Sequence, residues 1–287
     1  AVSSLQSFTS GWKFGYPPHE RRSALEQLLY GQMAANEKMT LWAVGTDHDS
    51  THFTHYARSR WLWRDPGTKN LPEHLHQLLF DLDEYPVVLA SEASAGTGQA
   101  PRALWRCLPG WTKHSLTVQD SIAAAAKTAA GDFLLLISYE KLLRRAGHLW
   151  ENIPNGQQDA PLGTPTHLWG ASAQQVHVMG TKGASLQAHI LEGGLWLERA
   201  LPQSAVDARL LSMWGRSKNE VYAATSKGLL RWDGTTWGIA LAPSPEPLVS
   251  GVWGPTENSR LYAIGPKTLH ILDGATVRAV PVTLEPH

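Results

Sequence analysis

The densest group of potential metal ligands in this sequence lies between positions 47 and 55, where two aspartates and three histidines fall within nine residues. Asp47, Asp49 and Thr51 have the spacing of the first, third and fifth positions of a calcium-binding loop. His52 stands where such a loop needs glycine, and Arg58 stands where it needs a bidentate glutamate. The match to a calcium loop is therefore incomplete.

The same segment is a poor zinc site, because His52 and His55 would point to opposite faces of a strand. We expect a polar hairpin turn between the second and third strands of a repeat, with no metal bound. A ligand site that includes Asp47, His48, Asp49 and His52 is the alternative.

Two tryptophans follow this segment at alternating positions. Trp61 and Trp63 would share one face of a strand, and Trp42 is nearby in the sequence. Exposed aromatic faces of this kind bind ligands and stack on sugar rings. Trp61 and Trp63 are therefore candidate binding residues.

The sequence shows no catalytic constellation. Its carboxylates at Asp81, Asp83, Glu84 and Asp132 are not brought together by any linear motif, although glycosidases use convergent carboxylates. No phosphate loop, nucleophile elbow or zincin signature is present. Cys107, the only cysteine, is expected to be a buried and inert thiol. We therefore predict a protein that is not an enzyme and that needs no cofactor.

Composition excludes some partners. Lys plus Arg and Asp plus Glu each number 25, so a neutral chain has no electrostatic footprint for nucleic acid or an anionic membrane. The longest apolar stretch, 122–137, is interrupted by Lys127 and Asp132 and is too short to span a bilayer. A single cysteine allows no intrachain disulfide, which leaves the compartment open.

Tryptophan reveals an internal repeat, since the sequence has 13 Trp against 5 Phe. Trp169, Trp214 and Trp253 each follow an apolar residue and precede glycine, a polar turn and an alternating apolar strand. Further along each unit, an acidic residue followed by glycine separates two apolar runs, as at Asp233-Gly234 and Asp273-Gly274. This pair predicts a tight hairpin with a type I′ turn.

The earlier part of the chain keeps the same period with substituted residues. Six units of roughly 40–50 residues begin near positions 30, 80, 126, 169, 214 and 253. Each unit has room for four short strands, and in the fifth unit they are expected at 210–214, 220–224, 228–232 and 236–241. Four strands per period predict a six-bladed β-propeller of four-stranded antiparallel blades.

Packing between blades explains the residue choices. One large flat tryptophan per blade is expected to fill the wedge between neighbours, and the glycine after it is expected to let the crowded inner strand turn. Residues 1–24 lie outside the repeat and are expected to form a closing strand or a docking arm, with 25–287 as one propeller domain.

The combination of Trp-Gly, Val221-Tyr222-Ala223 and the run from Asp233 to Trp237 resembles the repeats of tandem-repeat bacterial β-propeller proteins, loosely related to the Asp-box and kelch-like groups. No complete Asp-box is present. The resemblance implies a propeller that binds rather than catalyses, at an extracytoplasmic or cell-surface location, with a cytoplasmic one also open.

The function expected from these observations is a non-catalytic scaffold that binds another protein, as an accessory subunit of a larger assembly. The sequence leaves the identity of the partner open. One alternative is a carbohydrate-binding, lectin-like propeller, and a second is a propeller hydrolase or lyase.

Overall fold

The structure is a computed structural model that describes residues 32–35, 41–46, 51–57, 60–63, 74–80, 85–91, 102–107, 111–113, 122–137, 141–146, 149–154, 163–242, 251–254, 260–265, 268–274 and 276–281. Within these ranges the chain is all-β, with 24 strands and one short 3-10 turn at Gln203–Ala205. The strands form six four-stranded sheets in that part of the chain.

The first three sheets each contain four strands that are consecutive in sequence. Sheet 1 comprises β1 (Gln32–Ala35), β2 (Leu41–Thr46), β3 (Thr51–Ala57) and β4 (Arg60–Trp63). Sheet 2 comprises β5 (His74–Phe80), β6 (Pro86–Ser91), β7 (Arg102–Cys107) and β8 (Trp111–Lys113). Sheet 3 comprises β9 (Ile122–Lys127), β10 (Phe133–Ile137), β11 (Lys141–Ala146) and β12 (Leu149–Ile153).

The last three sheets have the same order. Sheet 4 comprises β13 (Thr164–Ser172), β14 (Gln175–Lys182), β15 (Ser185–Glu192) and β16 (Leu195–Arg199). Sheet 5 comprises β17 (Leu210–Ser217), β18 (Glu220–Thr225), β19 (Gly228–Trp232) and β20 (Trp237–Leu241). Sheet 6 comprises β21 (Gly251–Trp253), β22 (Arg260–Ile264), β23 (Thr268–Asp273) and β24 (Thr276–Pro281).

The sheets confirm an all-β chain of four-stranded antiparallel units. The expected strands of the fifth unit agree with β17 to β20 to within three residues at each end. One local prediction was wrong. The segment 47–55 was expected to be a turn, but its residues from Thr51 onward belong to β3, where residues 51–56 pair with residues 41–46 of β2.

The chain divides into two compact units, residues 1–122 and 123–287. Sheets 1 and 2 belong to the first unit. In its described core, residues 87–90 of β6 are buried on both faces of the strand, with Leu104 and Trp105 of β7 beside them. Such a continuous apolar run is typical of a strand that is covered on both sides.

Sheets 3 to 6 belong to the second unit, where they stack through three apolar layers. Leu134 of sheet 3 and Val178 of sheet 4 lie in the first layer. Met179 of sheet 4 and Val221 of sheet 5 lie in the second. The third layer joins sheets 5 and 6 and includes Ala263. Because Val178 and Met179 are adjacent in β14, sheet 4 contributes alternate residues to the layers on its two faces.

Each repeated tryptophan faces an aromatic residue across the first strand pair of its sheet. The three pairs are Trp169 with His177, Trp214 with Tyr222 and Trp253 with Tyr262. Their ring centroids lie 5.7, 6.3 and 6.0 Å apart, and the two tyrosine pairs are stacked. Cross-strand aromatic pairs stabilise sheets by about 0.2–1 kcal/mol each.

In sheets 5 and 6 the glycine after the repeated tryptophan makes room for the tryptophan of the preceding sheet. A Cβ atom on Gly215 would lie 2.7 Å from two ring carbons of Trp169, and one on Gly254 would lie 3.0 Å from Trp214. The expected reason for these glycines, a backbone turn, was therefore incomplete. They are needed because an indole ring lies directly against the backbone.

The acidic-Gly hairpins are present, but the tight two-residue turn predicted at Asp233-Gly234 is wrong, because four residues connect β19 and β20. Glu192 pairs with Leu195, and the two connecting residues Gly193 and Gly194 have φ of 58° and 80°. After β19, the carboxylate of Asp233 instead closes a four-residue connection by accepting hydrogen bonds from the backbone N–H groups of Thr235 and Thr236, each at 2.8 Å. Such aspartate turns are typical of Asp before glycine.

Candidate functional site

The carboxylate of Asp132, one of the sequence candidates for chemistry, connects two sheets. Its Oδ2 atom accepts a hydrogen bond of 3.2 Å from the backbone N–H of Ala173, at the tip of the β13–β14 hairpin. Its own backbone N–H donates to the Thr128 hydroxyl at 2.9 Å, and Arg144 lies 3.9 Å from Oδ1. Asp132 therefore has a structural position at the contact of sheets 3 and 4.

A second polar group has the same role between sheets 5 and 6. Arg216 contacts Glu220 at 2.6 Å, and its other terminal nitrogen donates to the Arg260 carbonyl oxygen at 3.2 Å. Its guanidinium also lies 5.6 Å from the ring centroid of Trp214. The Tyr222 hydroxyl donates to Glu220 at 3.0 Å.

The tyrosine in this group is unsuited to acid–base chemistry at neutral pH. Burial, followed by the charge of Glu220, raises the pKa of Tyr222 to about 12. A proton-transfer group works best when its pKa lies near the working pH. The network of Arg216, Glu220 and Tyr222 therefore connects sheet 5 to sheet 6.

The large exposed apolar side chains of the second unit form two groups. The first group, here called the outer-strand row, has one member on the fourth strand of each sheet. Each of sheets 3 to 6 contributes one exposed residue, namely Leu149, Leu195, Ile239 and Val277, with exposed fractions of 74%, 40%, 48% and 43%.

The second group, here called the Trp253 face, lies on sheet 6 and comprises Trp253, Tyr262 and Ile264. Trp253 is 38% exposed, whereas Trp169 is 7% exposed and Trp214 is partly buried, each of them against a glycine of the following sheet. Arg260 and Asp273 form an ion pair of 3.1 Å on the same side of the sheet, because they are directly opposite in register.

The predicted binding residues lie in the first unit. Asp47, His48 and Asp49 fall outside the described residues. His52 is placed in β3, where it pairs with Gly45. The two tryptophans are placed in β4, where Trp61 pairs with Tyr56 and Trp63 with Thr54. The side chains of these strands are not described, so the proposed roles of all six residues stay predictions.

Sequence reasoning missed the exposure of Trp253. A tryptophan at a recurring position was expected to belong to the core, as Trp169 does at 7% exposed. The one signal in the sequence was position along the chain, since Trp253 belongs to the last Trp-Gly pair of the series. Across the described residues there is no group of three or more His, Cys, Asp or Glu side chains that could hold a metal ion.

The comparisons with known proteins identify a fold. No family model matches the chain, and no curated protein matches it. The extracellular domain of BT4673 from Bacteroides thetaiotaomicron has 10% identity and a TM-score of 0.58 over 87% of this chain and 32% of that one. PorZ of Porphyromonas gingivalis has 13% identity and a TM-score of 0.52 over 86% and 36%.

A candidate 6-phosphogluconolactonase from Bacteroides uniformis has 10% identity and a TM-score of 0.54, covering 87% of this chain and 88% of that one. The chain spans about a third of the length of BT4673 and PorZ. Both are propeller-like proteins, so the four-stranded sheets and the comparisons agree on a propeller-like, all-β class. At these identities the likeness concerns the fold alone. The described residues contain no helix that could cross a membrane.

Proposed function

We propose that this chain is a non-catalytic β-propeller scaffold that binds another protein, as an accessory subunit of a larger assembly. The observation that carries the proposal is the outer-strand row, in which four consecutive sheets each expose one large apolar side chain. Single exposed apolar residues are common, but their recurrence on the fourth strand of every sheet of the second unit favours the use of these strands in binding.

Polar side chains that join neighbouring sheets in the second unit support a structural, scaffold role. Asp132 and Arg216 each have hydrogen-bond partners in the neighbouring sheet, so they hold sheets together. PorZ is described as a surface component of a secretion system, which is a role within an assembly. An extracytoplasmic or cell-surface location is proposed on the same grounds, since BT4673 contributes an extracellular domain.

The test is capture of native partners by tagged protein. The variant Leu149→Ser, Leu195→Ser, Ile239→Ser and Val277→Ser should fold normally and lose the captured protein. A control with Thr276→Ser and Arg278→Gln, which changes exposed polar residues of β24, should retain it. Capture that is equal in both variants would contradict binding through the outer-strand row.

A carbohydrate-binding propeller is the second candidate, and the Trp253 face is the observation that favours it. The stacked pair of Trp253 and Tyr262 beside the ion pair of Arg260 and Asp273 has the chemistry of a sugar platform. A glycan array should then give a signal that Trp253→Ala abolishes. The hydrolase or lyase alternative is supported by the similarity in fold to the candidate lactonase. That similarity concerns the fold and not an active site.

We further propose that the six sheets are the blades of one six-bladed propeller domain of residues 25–287, with residues 1–24 as an extension. The arrangement of Trp169 on Gly215 and Trp214 on Gly254 supports it, because the same contact repeats from one sheet to the next. The tandem-repeat bacterial group remains the proposed family.

A further inference from the structure

Buried histidines lie in each of the three layers between sheets 3 to 6. His177 is 2% exposed, His189 is 4% exposed and His270 is 7% exposed. His189 is directly opposite Val178, which belongs to the layer between sheets 3 and 4. His270 is directly opposite Ala263, which belongs to the layer between sheets 5 and 6. Directly opposite residues of an antiparallel pair share a face, so each imidazole lies in the layer of its neighbour.

His177 lies in the remaining layer, between sheets 4 and 5, where three tryptophans surround it. Its ring centroid is 5.7 Å from those of Trp169 and Trp232 and 6.1 Å from that of Trp237. The imidazole ring of His177 is hydrogen-bonded to the backbone of Lys218. Its Nδ1 atom has no hydrogen-bond partner among the described residues.

We propose that these three imidazoles make the stack of sheets 3 to 6 acid-sensitive, so that acidification opens the layers between the sheets. A charge in an apolar layer is unfavourable unless it is paired. Each imidazole must therefore stay neutral while its layer is closed, and protonation favours any state in which the layer is open.

The charged groups around the imidazoles do not offset burial. Around His177, burial lowers the pKa to about 4, the Lys218 backbone opposes this shift, and the charge of Arg199 adds to it. Burial also lowers the pKa of His189. The charge of Glu198 raises this pKa, and the charge of Lys182 lowers it further. Burial alone lowers the pKa of His270.

The direction of the pH dependence follows from these shifts. A histidine in the unfolded chain or in an opened layer has a pKa of about 6.5. In the closed layer the pKa of His177 is about 4, so this imidazole stays neutral down to a lower pH. Stability is therefore complete above pH 6.5 and falls as the pH falls through this window. From His177 alone, the unfolding constant should rise about tenfold between pH 7.5 and 5.5.

The chain itself suggests suitable substitutions. Leu230 of sheet 5 pairs with Ala223 at the position where His189 and His270 pair with Val178 and Ala263. His189→Leu and His270→Leu therefore copy sheet 5. Tyr222 and Tyr262 face the repeated tryptophans at the position of His177. His177→Tyr copies these sheets.

The experiment is urea unfolding of the full chain and of the triple variant at pH 7.5, 6.5 and 5.5, a range in which ordinary carboxylates stay ionised. The unfolding constant of the unsubstituted chain should rise at least tenfold across this range, and that of the triple variant should rise at least tenfold less. An equal rise in both proteins, or a rise below threefold in the unsubstituted chain, would overturn the proposal.

A second measurement does not need the variant to fold. The ring proton signals of the three histidines, followed by NMR in the unsubstituted chain, should show no titration between pH 7.5 and 5.5. Fluorescence should report exposure of Trp232 and Trp237 only at the lower pH at which the ring signals begin to titrate. A midpoint near pH 6.5 for His177 in the folded chain would exclude the proposed mechanism.

Discussion

The contact of an indole ring with a glycine backbone explains the repeated Trp-Gly pair at the scale of single residues. The ring of Trp169 occupies the space that a side chain at position 215 would need, and the ring of Trp214 does the same at position 254. Tryptophan supplies a large apolar area, and glycine allows the backbone to approach it. Each residue of the pair thus serves a different sheet contact.

Gly215→Ala tests this contact. Gly215 does not have a positive φ, so alanine is tolerated by the backbone and the loss comes from overpacking against Trp169. We expect destabilisation of about 1–3 kcal/mol in urea unfolding. The matched control is Gly238→Ala, because a Cβ atom there would meet nothing within 4 Å. Equal stability of the two variants would mean that the indole ring can move aside.

At the scale of elements, turns bind the tips of neighbouring sheets together. Asp132 lies in the turn between β9 and β10 and accepts from the Ala173 N–H at the tip of the next sheet. Backbone groups reinforce the same contact, since the Ala129 N–H donates to the Gly170 carbonyl at 2.9 Å. The sheets of the second unit are thus joined by polar contacts at their tips as well as by apolar layers.

Asp132→Ala should therefore loosen the contact between sheets 3 and 4. It leaves the N–H of the buried Ala173 without its acceptor, which costs about 1–3 kcal/mol. Asp132→Asn keeps an acceptor oxygen and should retain most of the stability. Thermal unfolding combined with hydrogen exchange of the Ala173 amide would measure both effects. Faster exchange in neither variant would show that the backbone contacts suffice.

At the scale of the whole molecule, each blade of a closed propeller has both of its faces covered by neighbouring blades. Inside the second unit each repeated tryptophan before Trp253 is covered by the glycine of the following sheet. Trp253 itself is 38% exposed in the structure. A closed ring has no terminal blade face, so the proposed six-bladed ring requires Trp253 to become covered.

Quenching of tryptophan fluorescence by iodide distinguishes the two states of Trp253. If the ring is closed, Trp253→Phe should leave the quenchable fraction of the fluorescence unchanged. If the face stays open, the same variant should lose part of that fraction. Trp232→Phe serves as a control, because Trp232 is 4% exposed and should not contribute to quenching.

Local patterns in the sequence were sufficient to predict the strands. Strand and turn signals are local, because the residues that form each pattern are close together in the chain. The strands of sheet 5 and the hairpin at Asp233-Gly234 could therefore be predicted from short segments. In the first unit, Asp47, His48 and Asp49 lie outside the described residues. Residues 51–55 were assigned to a turn because most of them are polar, whereas pairing with β2 makes them part of a strand.

Contacts between sheets were decided by the tertiary structure alone. Trp169 and Gly215, or His177 and Trp237, belong to different repeats, and nothing local in the sequence states that they touch. The same reason explains why Trp253 was expected in the core and why three histidines were not recognised as buried. Alternation along a strand determines which residues share a face, whereas only the stacking of sheets determines what covers that face.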